Sequence, residues 1–203
     1  MRTIALAAAV LGLFVMPALA QAPPAGTPTR IRGTVDKLDG QNLTVKSRDG
    51  QAVTIALASN VTVSTLVKKT MADVKTGDFV ASTGIKGTDG KIHAIEVRIF
   101  PESLRGAGEG QYPWDLKPDS IMTNATVGTI TQSPAGNTVK VTYKGTDSEY
   151  VIDPTTPIFA NAAGDTSLLT PGAAVFVIAL KQEDGKLTSA RLYAEKDGIK
   201  PPM

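Results

Sequence analysis

The chain has no cysteine, one histidine, one tryptophan and few aromatic residues of any kind. Without cysteine there is no disulfide framework, no thiolate nucleophile or metal ligand, and no lipidated N-terminal thiol, so burial must supply the stability. A single histidine, His93, excludes a multi-histidine metal site and any catalytic arrangement that needs two imidazoles. Charge of one sign is also missing. Lys and Arg together number 21 against 19 Asp and Glu, which argues against a dedicated polyanion binder. No G-x-S-x-G elbow, P-loop or zinc-protease signature occurs, so the residues indicate no catalytic group, metal site or cofactor.

Long apolar runs are confined to the start. Residues 1–20 read MRTIALAAAVLGLFVMPALA, with Arg2 ahead of an apolar stretch over 4–16 and the small-x-small group Ala18-Leu19-Ala20. This is the pattern of a cleaved secretory signal peptide: the run is shorter than the roughly 20 residues a spanning helix needs, and Pro17 interrupts it. No later stretch is long and apolar enough to cross a bilayer as a helix. The expected product is a periplasmic or secreted protein without a membrane span, and a barrel bearing few strand aromatics and no basic groove is not expected to bind nucleic acid. Residues 21–28, QAPPAGTP, read as a flexible lead.

From Arg30 onward the apolar residues recur with period two, as in Ile31, Gly33 and Val35 against Arg32, Thr34 and Asp36, the pattern of half-buried strands. Asp39-Gly40, Asp49-Gly50 and Asp89-Gly90 supply tight turns between them. Residues 70–73 read as one capped helical turn ending before Gly77. An offset of 95 residues then places Gly33 on Gly128, Thr34 on Thr129, Gly50 on Gly145, Gly77 on Gly172, Val80 on Val175, and Asp89-Gly90-Lys91 on Asp184-Gly185-Lys186. Turn glycines recurring at one spacing indicate a tandem duplication.

The expected fold is all-β: two tandem small OB-like β-barrels over 29–100 and 124–195, joined by an irregular segment at 101–123 and followed by a loose tail at 196–203. A single two-sheet sandwich shares the same alternation. Residues 174–180, AVFVIAL, are apolar on both faces, so that strand needs a cover from outside its own barrel.

The GTV, DG, LTV and TGDFV elements, with DGK before an alternating final strand, resemble a family of exported bacterial proteins of unknown function built from OB-like repeats. The resemblance covers residues 29–100 well and 124–193 more loosely. Similar chains with an RGxGEG and PWD segment are labelled as parts of metal-transport permeases, a role this sequence does not fit. The resemblance implies a fold and brings no active-site residue with it.

Two places carry distinctive chemistry. His93 alternates onto the same face as Ile95, Val97 and Ile99, and the second repeat has Thr188 at the matching place, which reads as a polar residue near a barrel rim. Met71 and Met122 read as packing residues rather than copper ligands. The segment RGAGEGQYPWD offers Arg105, Glu109, Tyr112, Trp114 and Asp115 as candidate binding residues, being types found at recognition hot spots and bidentate contacts. It admits two readings: a clamp, with Trp114 and Tyr112 between the barrels and Arg105 paired to Glu109 or Asp115, or a recognition surface for a periplasmic protein or small ligand. The function expected is a non-enzymatic binding or interaction protein, with accessory metal handling and hydrolysis as alternatives.

Overall fold

The computed structural model describes residues 26–201. The expected signal peptide, residues 21–25 of the expected lead and residues 202–203 of the expected tail lie outside the described residues. The twelve strands found there are β1 (Thr27–Asp39), β2 (Asn42–Ser47), β3 (Ala52–Lys69), β4 (Phe79–Lys86), β5 (Ile92–Ile99), β6 (Gly110–Pro113), β7 (Ile121–Thr131), β8 (Asn137–Tyr143), β9 (Thr146–Ile152), β10 (Ile158–Ala163), β11 (Ala174–Lys181) and β12 (Leu187–Ala194). The all-β expectation holds, and the strands close into two five-membered rings.

In the first ring β1 pairs with β2 and β11, β2 with β3, and β11 with β12, which lies parallel to β3 and shuts the circle. In the second, β7 pairs with β4 and β8, β8 with β9, and β4 with β5, which lies parallel to β9. Each ring has its own core. Ile31, Val35, Leu43, Val45, Ile55, Val175, Val177 and Leu192 fill the first; Val80, Val97, Ala125, Val127, Val139, Val141, Tyr150 and Ile152 fill the second.

The boundary drawn between 29–100 and 124–195 does not separate these rings. β4 and β5 belong to the ring of β7–β9, whereas β11 and β12 belong to the ring of β1–β3. The reason is the length of β3, which does not turn back after Leu57 but runs on to Lys69 and carries the chain into the neighbouring ring. Its outer half pairs antiparallel with β10, with Leu66 opposite Asn161, two residues 95 apart. The second ring is therefore continuous in sequence, and the first is assembled from the two ends around it.

Spacing within the halves follows the expected offset in most elements. The 3-10 turns Met71–Asp73 and Thr166–Leu168, the strands β4 and β11, and the strands β5 and β12 are each 95 apart. The first strands are an exception. Thr34 lies opposite Ala174 while Thr126 lies opposite Phe79, so Thr34 corresponds to Thr126 and Gly33 does not correspond to Gly128. At the ends, Thr27 and Pro28 pair with Lys181 and Leu180, so the lead is shorter than expected. Lys196 and Ile199 exchange backbone hydrogen bonds around Asp197-Gly198, both at positive φ, and Pro201 is buried, so residues 196–201 form a closed turn and not a loose tail.

A bulge corrects the reading of His93. The β4–β5 register skips Ile95, and Ile92, Ala94, Val97 and Ile99 face the core while His93 points outward. His93 sits where β5 and β9 meet over only two pairs, Ile92 with Tyr150 and His93 with Val151. Its Nδ1 lies 3.1 Å from Asp153 Oδ2 and its Nε2 3.2 Å from Asp89 Oδ2. The Asp153 hydrogen bond first, then the Asp89 bond, raises the imidazole pKa. A raised folded-state value means a stabilisation fully present below about 6.5 and lost as pH rises through the folded pKa. Denaturant melts of the wild type and His93→Gln from pH 5 to 9 should show the wild type ahead at acid pH and the gap closing on the alkaline side. A gap that widens with pH would contradict the clasp.

Strand exchange predicts the behaviour of half a chain. Residues 26–100 alone leave β3 without β12 and β5 without β9, but in a pair of copies β5 of one can stand in for β12, which lies 95 residues on, beside β3 of the other. Sedimentation of this fragment should show a dimer whose folding is lost on dilution. A monomer that melts cooperatively at every concentration would refute the exchanged architecture.

Candidate binding cleft

The connecting segment touches both rings. After a 3-10 turn at Glu102–Leu104, β6 adds antiparallel to the first residues of β7, with Tyr112 opposite Met122 and Gly110 opposite Asn124. Trp114 and Asp115 then leave that sheet and lie on the outer wall of the first ring. Trp114 packs edge-on against Phe176 of β11 at 6.4 Å and against Tyr112 at 6.2 Å, and Phe176 stacks on Tyr193 at 6.2 Å. This covers Phe176 of the two-faced apolar strand 174–180, whereas Ile178 and Leu180 stay half-buried beside an open groove.

Two arginines of β1 complete the seat. Because side chains alternate along a strand, Arg30 and Arg32 both point outward while Ile31 enters the core. The Arg30 guanidinium lies 4.1 Å from the Trp114 ring centroid, and that of Arg32 lies 4.5 Å from Phe176 and 5.5 Å from Trp114. Arg32 Nη1 donates to Asp115 Oδ2 at 2.7 Å and Nη2 to Oδ1 at 3.0 Å, a bidentate fork, and Arg30 approaches Asp115 to 3.8 Å. The Arg32 side chain is only 4% exposed and Asp115 is 47% exposed, so the pair anchors a buried cation to a carboxylate at the rim. Burial opposes the Asp115 charge, but the Arg32 hydrogen bonds and the positive field of Arg32 and Arg30 outweigh it and hold the carboxyl below its ordinary range.

Beside this seat an open cleft of about 300 Å³ is lined by Arg30, Arg32, Ser47, Arg48, Asp49, Gln51 and Asp115, together with Ile31 and Val53. Arg48, at the β2–β3 turn, donates its backbone N–H to Arg32 O at 3.2 Å. Desolvation, then the neighbouring Arg32 charge, lowers the Arg48 pKa, and the Asp115 charge offsets only part of this.

Of the five residues singled out in the sequence, Tyr112, Trp114 and Asp115 meet here and Arg105 and Glu109 do not. Arg105 pairs with Glu102 at 2.6 Å and donates to Gly77 O, and not to Glu109 or Asp115, because Glu102 is three residues upstream on the same tight turn. Glu109 accepts the backbone N–H of Lys144 on the second ring. Sequence reading missed Arg30, Arg32 and Arg48. The available signal was the pair of arginines at i and i+2, two like charges on one strand face that call for a counter-ion.

A larger apolar groove of about 500 Å³, lined by Leu57, Ile178, Leu180 and Ala190 among others, opens where β11 and β12 bulge apart. Among the described residues no three His, Cys, Asp or Glu side chains group as a metal site, and no helix is long and apolar enough to cross a membrane. Met122 is buried and accepts from the Thr83 hydroxyl, and Met71 packs against the second core. No family model, curated protein or solved structure matches the chain.

The seat predicts two separable losses. Trp114→Ala should lower stability by roughly 2–4 kcal/mol, somewhat under the range for a fully enclosed ring. Asp115→Asn takes the carboxylate from a buried guanidinium and should lower it by about 1–2 kcal/mol, kept small by the solvent around Asp115. The Asp115 contribution is present above about pH 4 and lost as pH falls through the depressed folded value, so the two melting curves, wild type and Asp115→Asn, should converge in acid. An Asp115→Asn protein as stable as wild type at pH 7 would contradict this role.

Proposed function

We propose that the chain is an exported, non-catalytic binding or interaction protein, built from a duplicated five-strand unit, that takes its ligand at the cleft beside Trp114 and Asp115. The observation that carries this reading is the cleft itself: an open concavity in which Arg30 and Arg48 adjoin the cavity while the aromatic and bidentate contacts behind it are already made. Such preorganisation suits recognition, because Arg30 is already held over the Trp114 ring before a ligand arrives. The signal-like residues 1–20 support export.

The test is a thermal-shift screen of small organic acids, sugars, divalent metal ions and short peptides on the mature protein, with mass spectrometry of each stabilising compound after incubation. A ligand at 100 times its Kd should stabilise by about 2.7 kcal/mol and be recovered unchanged. Filling the cleft with Ser47→Trp should abolish the shift. Conversion of a ligand to product, or stabilisation that survives Ser47→Trp, would overturn the reading.

A further inference from the structure

The cleft is the open edge of a strand. β2 leaves β1 at the pair Gly33 with Ser47, but β1 extends six residues further toward its N-terminus with β11 on one side only. Backbone groups alternate in direction along a strand, and Arg32 O points toward the β2 side, where it accepts from Arg48. The N–H and C=O of Arg30, two residues earlier, therefore point the same way, into the cleft. Among the described residues no strand pairs with residues 28–30 on that side.

The second ring shows the same edge filled. Arg30 lies opposite Ile178 and Met122 opposite Thr83, and 178 and 83 are 95 apart, so Met122 is the counterpart of Arg30; by the same rule Asn124 is the counterpart of Arg32. On that edge of β7 lies β6, an antiparallel strand of four residues, with Tyr112 opposite Met122 and Gly110 opposite Asn124. The chain thus contains one worked case of strand addition at this position of the ring, and one vacant edge of the same construction.

The vacant edge differs from the filled one in charge. Three guanidinium groups, Arg30, Arg32 and Arg48, face two carboxylates, Asp49 and Asp115, around the cavity. The Arg32 fork is directed to Asp115, which shows that this wall holds a carboxylate in good geometry. The excess cation lies with Arg30 and Arg48.

We propose that the β1 edge binds an extended acidic peptide by strand addition, its backbone pairing with Arg30 as β6 pairs with Met122 and a carboxylate side chain meeting Arg30 and Arg48. The inference rests on the cleft being the ligand site and names the class of partner. Main-chain hydrogen bonds give such a complex its affinity, and the arginines give it preference for acid over amide. Trp114 reports the event directly, since the Arg30 guanidinium lies over its ring.

The experiment titrates full-length mature protein with acetyl-Thr-Val-Asp-Val-Thr-amide and follows Trp114 fluorescence, with two control peptides: the Asn analogue, and the Asp peptide carrying N-methyl groups at alternate residues. The Asp peptide should give a saturable change, the Asn analogue should bind at least tenfold more weakly, and the N-methylated peptide should not saturate. Arg48→Gln, on an exposed turn outside both cores, should weaken the Asp peptide at least tenfold without shifting the melt. Equal binding of the Asn analogue or by Arg48→Gln would overturn the charge assignment, and equal binding of the N-methylated peptide would overturn strand addition. Absence of saturation by the Asp peptide would overturn the whole proposal. If another compound class binds at the cleft, the broader binding function stands while this inference falls.

Discussion

The structure depends on shutting two small sheets into rings, each through one parallel seam: β12 against β3, and β5 against β9. A five-stranded sheet left open would expose two edges, and closure removes them. Parallel seams cannot be made by hairpins, so each requires a strand delivered from elsewhere in the chain. Here β3 crosses from one ring to the other, and β10 crosses back beside it. The antiparallel pairing of these crossing strands around Leu66 and Asn161 is the mechanical joint of the molecule. Around that joint the rings share a polar layer, in which Arg98 pairs with Glu96, lies 5.1 Å from the Tyr193 ring, and Asn161 donates to the Tyr193 hydroxyl.

Much of this was legible in the sequence, because period-two alternation and turn glycines are local properties. Gly77 and Gly172, at φ of 90° and 89°, follow the 3-10 turns where the spacing placed them. Partner choice was not legible: alternation says that β4 has a buried face but not which ring buries it, and exchanged and unexchanged rings present the same pattern. Bulges were also hidden. Skipping Ile95 in β5 and Ala190 in β12 reverses the side-chain parity within one strand, which is why His93 lies outside the core that Val97 enters. The site was legible only in its aromatic and acidic half, since Trp114 and Asp115 stand in an irregular segment that attracts notice. In sequence Arg30 and Arg32 are indistinguishable from the polar side of an ordinary strand, because the counter-ion that makes them distinctive is 83 residues from Arg32.

Positions that match in register between the two rings carry different residues, and the differences explain why the seat stands on one ring only. Phe176 has Ala81 as its counterpart, Arg32 has Asn124, and Tyr193 has Arg98, so the second ring lacks the aromatic wall against which an indole could pack. Its edge is instead occupied by β6, and Asn124 Nδ2 donates to Ala107 O and lies 3.3 Å from the Tyr112 hydroxyl, fixing the connecting segment in place. The second ring therefore holds the segment by strand pairing and side chains together, and the first ring by side chains.

That division has a consequence for the first ring. The segment that could have covered the β1 edge as β6 covers β7 is already committed to the second ring by four residues of strand pairing, and Trp114 and Asp115 reach across. Those two side chains neutralise Arg32 and shield Phe176, but they supply no backbone to β1. A strand edge flanked by more arginines than carboxylates is protected from pairing with apolar strands, since burying the charge would cost more than the added hydrogen bonds return. The same arginines turn that cost into a preference once the incoming strand carries a carboxylate. The charge that guards the edge against aggregation is thus also what would make it selective.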